Sequence, residues 1–410
     1  MRKNVIWNTA GSIFYCACQW LITIIVVRVS TYEDAGYLSL AMTTSSSFSA
    51  ISLFSMRNFQ VSDIKNEYSS NIYVGSRIFT SIFAFGLCIL AAVWRNSLYQ
   101  TLCIAAFMLV RVAEAMVDVM HGINQKHGRY DYIGKSYIYR GIATVVSFTI
   151  VQVFMQDLLI SLFVMAMLNL LIAFFYDWRK TFSLEHFTPV IKDKGVAELL
   201  KKCMPIVIFT FVLSLETLLP KNLLQLRYGA ESLGIYSSIS SPTLVVQVFA
   251  SVVFTPFLPM VSQVYADRDM LMFRKMLHRI YLMLAVLGGV VTVGAMLFGK
   301  MGLRILLRED ILQYYELFMP IVWCTILTAG IWVMSAIMTA MRELKVLLIG
   351  IIGDFGMCLF VMDYFIGKYE KNGVSFVQLL VFAVNIIYML VMLEIIIKKQ
   401  IRTEGTKGNT

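Results

Sequence analysis

The sequence predicts an all-α, polytopic membrane protein of about twelve transmembrane helices, in two parallel six-helix lobes around a central cavity. Three observations lead there. Hydrophobic residues make up 59% of the 410-residue chain and charged residues 15%, with a mean hydropathy of +0.74; soluble domains average about 45–50% apolar and about 25% charged. The apolar residues come in runs of about 20, which at 1.5 Å per residue crosses the ~30 Å hydrocarbon core of a bilayer. In lipid every backbone polar group needs an internal partner, so such runs are helices. Finally, the chain echoes itself about 200 residues apart. Segments 32–43 (YEDAGYLSLAMT) and 230–241 (AESLGIYSSISS) each carry an acid (Glu33, Glu231), a glycine (Gly36, Gly234), a tyrosine (Tyr37, Tyr236) and small polar residues entering an apolar run. Ser76-Arg77-Ile78 and His278-Arg279-Ile280 open apolar runs at a similar offset, and 123–129 (INQKHGR) and 341–345 (MRELK) are both polar and basic. Repetition on that scale marks an internal duplication.

Twelve spans follow in order: 5–29, 35–56, 71–94, 98–121, 137–155, 158–177, 203–224, 234–258, 280–299, 317–339, 346–366 and 375–397. The first follows Met1-Arg2-Lys3 and is too long for a cleaved signal, so it reads as a retained span. Only Gln156 and Asp157 separate the fifth from the sixth. Connections 57–70 and 261–279 mix apolar and charged residues and read as amphipathic helices at the headgroup level. The lobes are 1–177 and 203–397, with a cytoplasmic linker at 178–202 and a cytoplasmic tail at 398–410. With both termini in the cytoplasm, 25 of the 35 Lys and Arg fall in inside segments and nine in outside ones. Arg77 and Arg140 are counted with the inside connections. That bias sets the orientation in a cell (plasma) membrane. It also accounts for the net charge of +10 through anionic membrane lipids, with no nucleic acid needed. Six spans per half makes the halves parallel repeats, related by an axis along the membrane normal.

Charges inside spans are costly, so they mark candidate sites. Arg111, Glu114 and Asp118 share one face of the fourth span, by their spacing of three, four and seven. Arg111 near mid-membrane either lines the cavity and meets an anionic group of a substrate, with Glu114 orienting it, or forms an internal pair that locks two helices. Arg28, at the outer end of the first span, is a further candidate contact, though it can also snorkel. Glu216 and Lys221 in the seventh span, and Asp354 among glycines in the eleventh, are candidates for coupling or gating. Glu216 could equally be a structural partner for a cavity arginine. All seven prolines lie after residue 188; Pro205, Pro220, Pro242, Pro256 and Pro320 fall in or beside spans, where each bends its helix. Static kinks and a bending second lobe both fit.

No enzyme signature is present: no P-loop, no nucleophile elbow, and four scattered histidines without metal-ligand spacing. Seven cysteines sit in or beside apolar runs, which argues against disulfides and zinc. The chain therefore reads as a non-enzyme without cofactors or metal.

The six-plus-six pattern, the GIYSSISSP stretch at 234–242, MRNFQVSD at 56–63 and INQKHGRYD at 123–131 together resemble the polysaccharide exporters, the Wzx-type lipid-linked oligosaccharide flippases of the multidrug/oligosaccharidyl-lipid/polysaccharide exporter superfamily. The resemblance implies a transporter that flips a polyprenyl-pyrophosphate-linked oligosaccharide repeat unit between leaflets by alternating access. It implies a cationic central cavity, for which Arg111 and Arg28 are the best-matched positions. Expected partners are the lipid-linked oligosaccharide and membrane lipids, with room for a coupling cation and a polysaccharide polymerase. A cation-coupled multidrug exporter is the alternative, although the first span has no buried acid. A membrane glycan polymerase or ligase is a third reading, disfavoured by short outside loops.

Overall fold

The apolar runs fold as helices, several of them extending well beyond the runs themselves. In a computed structural model, which describes residues 2–63, 67–254, 257–341 and 343–407, the described residues are helical with short turns and contain no strand. Met1, Pro256 and Arg342, named above, lie outside the described residues. In order the helices are α1 (Arg2–Val29), α2 (Tyr32–Leu53), α3 (Met56–Ser62), α4 (Ser70–Arg95), α5 (Leu98–Lys126), α6 (Tyr130–Met155), α7 (Leu158–Ile172) and α8 (Arg179–Phe182). They continue as α9 (Lys194–Ser240), α10 (Leu244–Phe254), α11 (Phe257–Ala266), α12 (Met270–Leu306), α13 (Phe318–Ala340), α14 (Leu344–Tyr369) and α15 (Lys371–Lys407).

Local chemistry explains the breaks. Thr31 caps α2 by accepting from Asp34 N at 3.1 Å. Ser97 and Gln100 form a reciprocal capping box at the start of α5. Gln156 takes the left-handed conformation (φ 50°) and Asp157 caps α7 through Ile160 N at 3.1 Å, so two residues suffice to turn the chain between the fifth and sixth spans. The seventh and eighth spans are joined inside α9, with Gly229 at φ 84° supplying the bend. Pro242 then sits in a 3-10 turn, Ser241–Thr243, that separates α9 from α10. Connection 57–70 contains α3 and connection 261–279 contains part of α11, both helical as predicted.

Among the described residues nine stretches are long and apolar enough to cross a membrane. One, Lys194–Gln247, covers two predicted spans in 54 residues. The nine do not include α2 and α5, which carry the Thr43–Ser47 run and the three charges of the fourth span. Exposed apolar stripes agree with a lipid environment: Leu282, Val286, Val290, Val293 and Leu297 recur at helical spacing on α12, each more than half exposed.

The chain divides into two compact units, Met1–Ser238 and Ile239–Thr410. The first takes in residues 178–202 and most of α9. Its core is α5, whose Ile104, Phe107, Met108, Ala113, Ala115 and Val119 are fully buried against α2, α4 and α7. Helices α1 and α6 cross at Gly11 and Gly134, where an added methyl would strike the opposite backbone. The segment 178–202 is docked: Thr188 N donates to Asn71 Oδ1 at 2.9 Å, Val190 N to Asn71 O at 3.2 Å, and Phe187 enters a core with Tyr73, Met120 and Cys203. The second unit centres on α13, packed by α10, α12 and α15.

Candidate functional site

The polar residues of the first unit converge on α5, because charged groups inside a membrane helix are stable only where neighbouring helices offer partners. Two clusters result. In one, Arg111 NH1 donates to Glu114 Oε2 at 2.6 Å and Arg111 NH2 to Ser46 Oγ of α2 at 3.0 Å. The guanidinium also stands over the Phe107 ring, 5.2 Å from its centroid. The other Glu114 oxygen accepts from Tyr15 OH at 2.5 Å and Gln19 Nε2 at 2.7 Å, both from α1. Arg140 of α6 donates to Tyr15 OH at 3.1 Å and through Nε to Asn169 Oδ1 of α7 at 3.2 Å, and lies 3.8 Å from Glu114. Asn169 is held in turn by Thr144 at 3.0 Å. Five helices thus share one network. Its two ends differ in exposure: the Arg111 side chain is 16% exposed and the Arg140 side chain 2%. Arg111 is the reachable cation, and Arg140 the buried one that holds Glu114 and Tyr15 in place.

In the second cluster Asp118 receives Arg77 NH2 at 2.8 Å and Arg57 NH1 at 3.4 Å. Arg77 is fully buried; its NH1 also donates to Ser52 O at 2.9 Å. Arg57 NH2 reaches Gln125 at 3.2 Å. Just beyond α3, Asp63 accepts from Glu67 N at 2.9 Å and Tyr68 N at 3.1 Å. Burial opposes the Asp63 charge, but these amides, the charge of Lys126 and the Tyr73 hydroxyl outweigh it and hold the carboxyl below its ordinary value.

Of the predicted site residues, Arg111 and Glu114 are brought together. Asp118 shares their helix face but serves the separate arginine pair. Arg28 is exposed in the last turn of α1 and belongs to neither cluster. Glu216 is buried within α9 and Lys221 is half-buried one turn further on. Asp354 lies in the second unit, buried and hydrogen-bonded by Asn385 of α15. Counting Arg77 and Arg140 with the connections was wrong: α4 and α6 begin at Ser70 and Tyr130, so both lie within helices and are buried. The sign was available, since 137–155 already included Arg140 and Arg77 was six residues into 71–94. Asn169, Gln19 and Tyr15 gave no such sign, because a lone uncharged polar residue in a span is common.

The duplicated motif also meets itself. A methyl at Gly36 of α2 would fall on the carbonyl of Ala230, and one at Gly234 on the carbonyl of Tyr32. Ser39 and Ser237 hydroxyls lie 2.5 Å apart. Positions in the two contacts exchange under one sequence offset, 36 with 234 and 32 with 230. The motif is therefore a two-fold-like crossing in which only glycine lets the backbones touch.

Residues 1–265 match the profile of the family described as polysaccharide biosynthesis protein. The chain belongs to that family. It is similar to the capsular polysaccharide biosynthesis protein CapF of Staphylococcus aureus, 26% identical over 287 residues, covering 68% of this chain and 70% of that one. Its fold is similar to the lipid II flippase MurJ in an inward closed conformation (TM-score 0.70, 13% identity, 95% of this chain and 87% of that). It is also similar to an inward-facing multidrug resistance MATE family transporter of the MOP superfamily (TM-score 0.69, 11% identity, 98% and 99%). This member of the polysaccharide biosynthesis protein family is accordingly an all-α, multi-pass membrane protein.

Proposed function

We propose that the protein flips a polyprenyl-pyrophosphate-linked oligosaccharide repeat unit from the inner to the outer leaflet of the cell membrane by alternating access, and that it is not an enzyme. The observation that carries this reading is the network around Arg111. A pyrophosphate cannot enter hydrocarbon unaided, and a partly exposed guanidinium set in a hydrogen-bonded frame is suited to receive it. Arg140, Tyr15 and Gln19 hold Glu114, so Glu114 orients Arg111 at little further entropic cost. The polyprenyl tail can stay in lipid. The same arginines count against a cationic drug as cargo. The six-plus-six division at 178–202, with both termini in the cytoplasm, is part of this proposal, as are Arg28 as a secondary contact and Glu216, Lys221 and Asp354 as gating positions. A coupling cation and a polymerase partner remain compatible with it.

The test is deletion followed by lipid analysis. Cells lacking the protein accumulate the lipid-linked repeat unit in the cytoplasmic leaflet. Normal surface glycan with no trapped intermediate, in a strain without a second flippase, would overturn the reading. Arg111→Ala should insert normally yet slow export about tenfold or more, as expected when a charged hydrogen-bonding contact is lost.

A further inference from the structure

One buried ionisable pair has no part in the anion network. His121 of α5 places Nε2 3.4 Å from Asp177 Oδ1, with side chains 2% and 1% exposed. Asp177 is set in a π-helical stretch, Ala173–Trp178, that interrupts the run from α7 into α8. The wider turn changes the register of Asp177 relative to α7, and π turns recur at functional sites. Among the described residues, neither Asp177 oxygen nor His121 Nε2 is met by a well-formed hydrogen bond. A carboxylate so deeply buried beside a neutral imidazole is costly. One proton, on either partner, turns the pair into an ion pair or a neutral pair. The proton therefore belongs to the pair as a unit.

The groups facing the pair are Arg57 from α3, Arg140 from α6 and, beside Asp177, Tyr176. The Tyr137 ring of α6 packs edge-on against His121 at 5.1 Å and also against Tyr15 at 5.6 Å. Tyr15 holds Glu114 and Arg140. Arg140 thus feels both the proton site and the anion network.

We propose that His121 and Asp177 form a proton-binding site whose occupancy sets the anion affinity of the Arg111–Arg140 network. When the pair has lost its proton, the Asp177 charge offsets Arg140. When the proton is bound, that negative charge is cancelled and the network is left more positive. Linkage is reciprocal, so an anion on Arg111 raises proton affinity at the pair. The link to anion affinity rests on the reading of Arg111 given above; the proton site itself does not.

The experiment uses the full chain in lipid nanodiscs with 15N-labelled histidine, and with His127, His186 and His278 changed to Gln. Over a titration from about pH 4 to 9 the His121 ring changes from charged to neutral. Asp177→Asn moves that transition to lower pH. A His121 ring in one charge state throughout, or a transition that Asp177→Asn leaves in place, overturns the proton site. In the second arm, inorganic pyrophosphate is titrated at pH 6 and pH 8. Affinity is about tenfold higher at pH 6, within the range of ordinary coupling energies. In His121→Gln and Asp177→Asn only the pH dependence of the probe's own ionisation remains, which runs the other way because pyrophosphate carries more charge at pH 8. Equal pH dependence in wild type and both variants overturns the linkage. No pyrophosphate binding at either pH, with a normal histidine titration, removes the anion reading and leaves the proton site standing.

Discussion

The two compact units solve the same burial problem with different chemistry. In the first, six helices contribute charged or amide side chains to interlocking networks around α5. In the second, α10, α12, α13 and α15 line a half-open apolar pocket of about 290 Å³, with residues such as Val246, Leu284, Ile326, Met334 and Leu390. Its buried carboxylate, Asp354, is tied to a single neighbouring amide. Polar networks in a low-dielectric interior are directional and costly to break, so they hold helices in one register. Apolar contacts are not directional, so they leave more room for adjustment. Under the function proposed above, the first unit is the one suited to a charged headgroup, and the second is expected to be the more tolerant.

The largest expected break is Arg140→Ala. It leaves Glu114 and Asp177 short of a buried cation and removes the donor to Tyr15 and Asn169. A loss of about 3–5 kcal/mol is expected, as for other disrupted buried pairs, seen as a collapse of thermal stability in detergent. Stability within 1 kcal/mol of wild type would mean that the network is not a structural frame. Next comes the glycine crossing. Gly36→Ala must push two backbones apart, costing about 1–3 kcal/mol. If the crossing opens during transport, joining Ser39→Cys to Ser237→Cys by a disulfide stops export and reduction restores it; unchanged export by the joined protein would make the crossing a static seam.

Filling the apolar cavity should do much less. Ala329→Leu is expected to leave export unchanged and to alter stability by under about 1 kcal/mol, in the stabilising direction if the side chain packs. A loss of export without loss of stability would show that the second unit also handles cargo. The smallest effect concerns Asp63. Its carboxyl is depressed in the folded state, so its contribution is fully present above the ordinary carboxylate pKa and fades as pH falls through the lower folded value. Asp63→Asn should cost about half a kcal/mol at neutral pH, given solvent screening, and progressively less as pH falls into the acid range. A pH-independent difference would remove the cap from the ledger of α3 and α4.

How far the site could be read in advance depended on the kind of signal. Arg111 and Glu114 announced themselves because three charges three and four residues apart in an apolar run cannot face lipid, although cavity lining and an internal helix-locking pair both remained open. Arg77 and Arg140 were misplaced because the charge count gave a basic residue near a span end to the adjoining connection, although a helix can carry it inward when a partner waits there. His121 and Asp177 were both visible as span-end residues, yet nothing in their spacing links them; they are 56 positions apart and on different helices. The recurring Gly-Tyr-Ser motif was legible as a repeat, but not as a contact.

Helix number, helix limits and the expectation of a membrane follow from local quantities: run length, hydropathy and the obligation of each backbone group to pair within its own segment. Those are set residue by residue and need no knowledge of neighbours. Which charge meets which, that Gly36 lies on Ala230, that a π turn re-aims Asp177, and that one unit is wired while the other is hollow, are pairings between distant segments. Many pairings are compatible with the same amphipathic pattern, and packing in three dimensions selects among them.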